Sequence, residues 1–134
     1  MIKNYCIMNM RPSSTSFNLL IAGGRDFSNY DLLARRCAAY IAENCGVQEP
    51  VVISGRASGA DSLGEQFAKE YSLECKYYPA QWKTYGRAAG PIRNKQMAEV
   101  ADGAVVFWDG RSRGTRSMIG YLQERGVPYE LVMY

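Results

Sequence analysis

Histidine does not occur in this chain of 134 residues. Its absence excludes Ser-His-Asp and Cys-His nucleophilic catalysis, and with them most zinc chemistry. Cysteine is sparse: Cys6, Cys37, Cys45 and Cys75 form no Cys-x-x-Cys pair and no metal-ligand spacing, so no metal is expected. Cys37 and Cys45 lie in a helical pattern, where cysteine serves as a small hydrophobe, and a disulfide scaffold does not suit so large a core. No apolar run approaches the roughly 18 residues of a membrane span. The segment Met1 to Ser16 carries Asn4, Asn9, Arg11 and Pro12 and lacks the apolar core of a signal peptide. A reduced, cytoplasmic protein without a membrane partner is the expectation. Charge of one sign is also scarce, with a formal net of +3, which permits an acidic partner without demanding one.

What the chain does contain is a regular alternation of strands and helices. Residues 1–16 have no clean period and read as a flexible arm, with Tyr5 to Met8 as a conceivable added strand. Residues 17–134 read as a single domain. Strands are expected at Phe17 to Ala22, Val51 to Ser54, Cys75 to Pro79, Ala104 to Phe107 and Tyr129 to Met133. The first helix is expected to open on a capping box of Ser28 and Asp31, stapled by Phe27 and Leu32, and to stop at Gly46. In the second, Ala60, Leu63, Gly64, Phe67, Ala68 and Tyr71 recur at helical spacing. Pro91 suits the first position of a third helix, with Ile92, Met97, Val100 and Ala101 inward. A fourth is expected from about Arg116 to Arg125. Alternation of this kind predicts an α/β fold, a mainly parallel five-stranded sheet with helices on both faces.

The unusual residues cluster where such strands end. Gly23 to Asp26, Ser54 to Asp61, Trp82 to Asn94 and Trp108 to Thr115 all follow a strand, and ligands of open parallel sheets bind beyond those ends. The turn Ser54-Gly55-Arg56-Ala57-Ser58-Gly59-Ala60-Asp61 joins glycines to a helix start, a natural seat for an anion. Yet it has neither the spacing nor the lysine of a Walker A loop, and it is not Gly-x-Gly-x-x-Gly. Arg25, Arg56, Arg93, Arg111, Arg113 and Arg116 lie in or beside these turns, where guanidinium forks suit phosphate; a solvated rim accounts for some of them equally well. Arg93 and Asn94 are expected in the first turn of their helix. Trp82, Tyr85 and Trp108 can stack on a base, although Trp108 also fits the end of a buried strand. Asp26, Asp61 and Asp109 are candidates to hold ribose hydroxyls, to polarise a water, or only to cap turns.

These same residues resemble a known family. Gly23-Gly24-Arg25-Asp26-Phe27, then Ser54-Gly55 with Gly59-Ala60-Asp61, then Tyr85-Gly86 with Ala89-Gly90-Pro91 and Arg93-Asn94 match in order. Trp108-Asp109-Gly110 with Ser112-Arg113-Gly114-Thr115 completes the set. The pattern resembles the YspA-like branch of the SLOG superfamily, which includes the DNA-processing protein DprA and the LOG phosphoribohydrolases. It covers Phe17 to Tyr134, leaving out the arm. The resemblance implies a Rossmann-like three-layer αβα sandwich, commonly in dimers, with a site for nucleotides or nucleotide-derived ligands at the strand tips.

Position and resemblance together assign ligand contacts to Gly23, Gly24, Arg25 and Asp26 after the first strand. After the second they fall on Ser54, Gly55, Arg56, Gly59, Ala60 and Asp61. After the third come Trp82, Tyr85, Gly86, Gly90, Arg93 and Asn94, and after the fourth Trp108, Asp109, Ser112, Arg113, Gly114 and Thr115. One departure matters. LOG enzymes carry Pro-Gly-Gly-x-Gly-Thr-x-x-Glu, whereas here Gly114-Thr115 stands without the preceding Pro-Gly-Gly and Met118 replaces the glutamate. A methionine neither takes nor gives a proton, which disfavours phosphoribohydrolase activity.

Three functions fit these residues. The first is a binding module that senses or sequesters a small nucleotide-type ligand such as ADP-ribose, an NAD-like molecule or a dinucleotide. The second is a hydrolase of a nucleotide or N-glycosidic bond, working through Asp26, Asp61 or Asp109. The third is DprA-like binding of single-stranded nucleic acid, which a net charge of only +3 supports least. No cofactor is named by the sequence.

Overall fold

The computed structural model describes residues 15–134. The expected arm, and the strand considered at Tyr5 to Met8, therefore lie outside the described residues, except that Ser16 already belongs to the first strand. That strand, β1, runs Ser16–Gly23. It is followed by α1 (Tyr30–Asn44), β2 (Glu49–Ser54), α2 (Ala60–Glu70), β3 (Glu74–Tyr77) and a single turn of helix, α3 (Trp82–Tyr85). A 3-10 turn at Gly86–Ala88 leads into α4 (Ala89–Val100), then β4 (Gly103–Trp108), α5 (Arg113–Glu124) and β5 (Tyr129–Met133).

All four strand pairings are parallel, in the order β3-β2-β1-β4-β5. The central strands carry apolar residues on both faces, as a sheet covered on both sides requires. Leu19, Ile21, Val52, Val105 and Phe107 turn one way, against Leu33, Cys37 and Tyr40 of α1 and Phe67 of α2. Leu20, Ala22, Ile53 and Val106 turn the other way, against Met97 of α4 and Met118 and Leu122 of α5. Each fully buried Leu, Ile or Phe of these layers contributes about 1.5–3 kcal/mol of burial. The result is a Rossmann-like three-layer α/β fold.

Three helix starts differ from the sequence expectation, each for a local reason. The cap of α1 is Asn29 rather than Ser28: Asn29 Oδ1 accepts from the Leu32 amide at 3.0 Å, and its carbonyl accepts from Leu33 at 3.1 Å. Helix α4 begins two residues before Pro91, which the first turn tolerates because its amides have no partner within the helix. Arg93 and Asn94 consequently sit in the second turn of α4, not the first. Helix α5 begins at Arg113, with Ser112 as its cap, so Gly114 and Thr115 are in its first turn rather than in a preceding loop. Two expected core residues are also exposed. Tyr71 closes α2 and lies against Phe67 from outside, ring centroids 4.4 Å apart, while Val100 ends α4 facing solvent.

Candidate functional site

The chain travels β1 to β2 to β3 toward one edge of the sheet, then returns to lay β4 on the other side of β1. The loops leaving β1 and β4 therefore diverge, and a crevice opens between them at the strand-order switch. A cleft of about 400 Å³ fills that crevice, within the range of small-molecule sites. From β1 it receives Gly23, Gly24, Arg25 and Asp26; from α4, Arg93 and Asn94. The β4–α5 side supplies Asp109, Ser112, Gly114 and Thr115, and Asp61 enters from the start of α2. Its apolar base is made by Ala22, Met97 and Met118, all buried.

Arg93 is the cation of the wall, only 8% exposed. Its Nη1 donates to the Gly55 carbonyl, and its Nε donates to Asn94 Oδ1 at 2.9 Å. Burial lowers its pKa, an effect opposed by the neighbouring Asp61 carboxylate. Asn94 Nδ2 in turn reaches the Gly114 carbonyl at 3.5 Å, which brings the second turn of α4 beside the first turn of α5. At that first turn Ser112 Oγ accepts from the Thr115 amide at 3.4 Å.

The three aspartates occupy different environments. Asp61 is 6% exposed and accepts from the Ala57 amide at 3.2 Å. Burial pushes its carboxyl up to about 6, outweighing the Ala57 hydrogen bond and Arg93, which favour the ionised form. Asp109 Oδ1 accepts from the amides of Arg111 and Ser112, both at 2.8 Å, and these bonds hold it below the usual carboxylate range. Asp26 Oδ1 accepts from the Tyr134 hydroxyl at 2.6 Å. Among the described residues no group of three His, Cys, Asp or Glu side chains could hold a metal ion.

A second cleft of about 360 Å³ adjoins the first. Gly55, Arg56 and Trp82 line it, and Arg25, Ala57 and Arg93 are common to both. The remaining residues singled out from the sequence line neither cleft. Ser54 Oγ donates to Glu65 at 2.6 Å on the α2 side. Ala60 is buried beneath Gly23. Trp108 Nε1 donates to the Ser112 carbonyl at 3.1 Å, so the indole braces the start of α5. Tyr85 is exposed, as are Gly86 and Arg113. Of the six arginines, Arg25 and Arg93 enter the larger cleft. Arg56 pairs with Glu65 at 3.4 Å and lies 4.7 Å over the Tyr77 ring. Arg116 covers Trp108 at 5.7 Å, and Arg111 and Arg113 point into solvent.

The glycines divide by what they approach. A Cβ on Gly59 would lie 2.2 Å from the Gly24 carbonyl oxygen, and one on Gly55 would lie 2.8 Å from both Arg93 Nη1 and Asp61 Oδ2. Those two allow neighbouring loops to close on each other. A Cβ on Gly114 would meet nothing within 4 Å. Four participants escaped the sequence reading. Ala22, Ala57 and Met97 carried no chemical signal, and Tyr134 meets Asp26 from 108 residues away. Met118 had been marked only for the glutamate it replaces.

Comparisons with known proteins agree with this fold. The family model described as YspA, cpYpsA-related SLOG family matches residues 17–85. The Gene 61 protein of Mycobacterium phage D29 is 33% identical in an alignment 84 positions long that covers 58% of this chain and 67% of that protein. In structure, the chain is similar to DNA processing protein A (DprA) from Streptococcus pneumoniae, with a TM-score of 0.62 over 87% of this chain. At 20% identity that likeness is one of fold, and the chain spans 50% of the DprA structure.

Proposed function

The chain belongs to the YspA, cpYpsA-related SLOG family, and from that membership we propose that the larger cleft binds a nucleotide or nucleotide-derived molecule, which the protein senses or sequesters. The observation that carries this reading is the buried Arg93 in the cleft wall, next to the first turn of α5. A guanidinium is charged at any working pH, and the α5 N-terminus adds the positive end of a twelve-residue helix. Arg25, exposed at the mouth, supplies a second fork. Asp26 and Asp109 each have lone pairs beyond their present hydrogen bonds and suit ribose hydroxyls. The base of Ala22, Met97 and Met118 offers an apolar face to a sugar or base.

A panel of AMP, ADP, ADP-ribose, NAD and linear dinucleotides should raise the melting temperature. At 100-fold excess over Kd, binding stabilises by about 2.7 kcal/mol. Arg25→Ala should weaken binding about tenfold, the loss of one charge-assisted contact. A melting temperature indifferent to the whole panel would sink the proposal.

Hydrolysis is a second reading, favoured by Asp61, whose carboxyl near 6 suits a general base close to neutral pH. Met118 provides no carboxylate at the position where LOG enzymes have theirs. Mass spectrometry of nucleotides incubated with the protein tests it: turnover that persists in Asp61→Asn removes this role.

A further inference from the structure

The two clefts share a wall. Arg25, Ala57 and Arg93 belong to both, so the larger cleft at the β1–β4 switch and the smaller one beside the β2 tip lie side by side, with these three residues at their common border. At about 400 and 360 Å³, each exceeds the roughly 300 Å³ at which small-molecule sites begin. Their linings differ. The larger has carboxylates and hydroxyls at its edge, while the smaller is walled by Pro79, Ala80 and the Trp82 indole. Trp82 is 52% exposed, a costly place for an indole unless something covers it. Its position is nonetheless defined, because the ring packs over Gly90, where a Cβ would stand 3.5 Å from Cη2. The two shared arginines put positive charge where the lobes meet.

Resting on the nucleotide reading of the larger cleft, we infer that the ligand is two-part: two nucleoside units joined through phosphates, spanning both lobes. The linking phosphates lie between Arg25 and Arg93. One nucleoside occupies the larger lobe with its ribose toward Asp26 and Asp109. The second reaches the smaller lobe, and its base stacks on Trp82. A mononucleotide fills the first lobe and leaves the indole uncovered. ADP-ribose gains the second phosphate but brings no second base.

Calorimetric titration with ADP, ADP-ribose, NAD and a linear diadenylate separates the possibilities, because ADP and NAD carry the same pyrophosphate. The expected result is that NAD or the diadenylate binds at least about tenfold tighter than ADP, the scale of one base–aromatic stack, with ADP-ribose close to ADP. Trp82→Ala should erase that advantage and leave ADP affinity unchanged, and Trp82→Phe should keep most of it. Equal affinity for one-base and two-base ligands overturns the inference and leaves the nucleotide reading standing. So does a Trp82→Ala variant that weakens ADP as much as NAD. If none of the four ligands binds, the nucleotide reading falls, and the two-part ligand with it.

Discussion

Two helix starts in this molecule look alike as sequence and differ as structure. Ser58-Gly59-Ala60-Asp61 opens α2, and Ser112-Arg113-Gly114-Thr115 opens α5; each pairs a small hydroxyl residue with a glycine. At α2 the space is filled from within. Gly59 packs under the Gly24 carbonyl, the Asp61 carboxylate takes the Ala57 amide, and the helix has no side-chain cap. At α5 the serine caps the helix, and the glycine faces open space in the cleft. Glycine therefore serves close packing in the first turn and access in the second. Both starts have a carboxylate of the chain on the amides just ahead of them, Asp61 on Ala57 and Asp109 on Arg111 and Ser112, but only at α5 does the first turn present a glycine to the cleft.

The largest test of this contrast is Gly59→Ala. Its Cβ would collide with the β1–α1 loop, and the backbone there has φ +76, so a loss of about 3–5 kcal/mol in urea unfolding is expected. A loss below about 1 kcal/mol would show that the loops are not locked together.

The second test is pH dependence. Asp61 binds its proton more tightly folded than unfolded, its carboxyl rising from 3.8 to about 6. Its contribution to stability is thus complete below about pH 4 and is lost as pH rises through about 6, by about 3 kcal/mol. Asp61→Asn should flatten that decline in denaturation midpoints between pH 4 and 7. A slope unchanged in the variant would assign the proton to another group.

The smallest effects belong to α5. Ser112→Ala should cost about 1 kcal/mol as the cap is lost. Gly114→Ala should gain about 0.5–1 kcal/mol of helix stability while weakening nucleotide binding in the same preparation. Calorimetry and unfolding on one variant thus separate access from packing. Should Gly114→Ala destabilise the protein as Gly59→Ala does, the two turns are equivalent after all.

Much of the fold was readable in advance, because period and punctuation are local. The β-branched run Val51-Val52-Ile53 declares a buried strand, and Gly46 and Gly126 sit just past the ends of their helices. Helix boundaries were less legible, since Ser28 and Asn29 are equally good caps and the folded chain uses Asn29. Pro91 likewise fits any position in a first turn. At the site, arginines were visible but their directions were not. Arg56 is diverted to Glu65 and Tyr77, and Arg116 to Trp108, whereas Arg93 is drawn inward by the Gly55 carbonyl from 38 residues away.

By itself the sequence determined the alternation of strands and helices, the concentration of glycine and arginine at the strand tips, and the family. These follow from short-range rules: side-chain spacing, backbone freedom and capping. Only the tertiary structure decided the strand order, and with it the crevice between β1 and β4. It also decided which glycine touches protein and which faces open space. Such outcomes depend on contacts between residues far apart in the chain, whose direction no local pattern encodes.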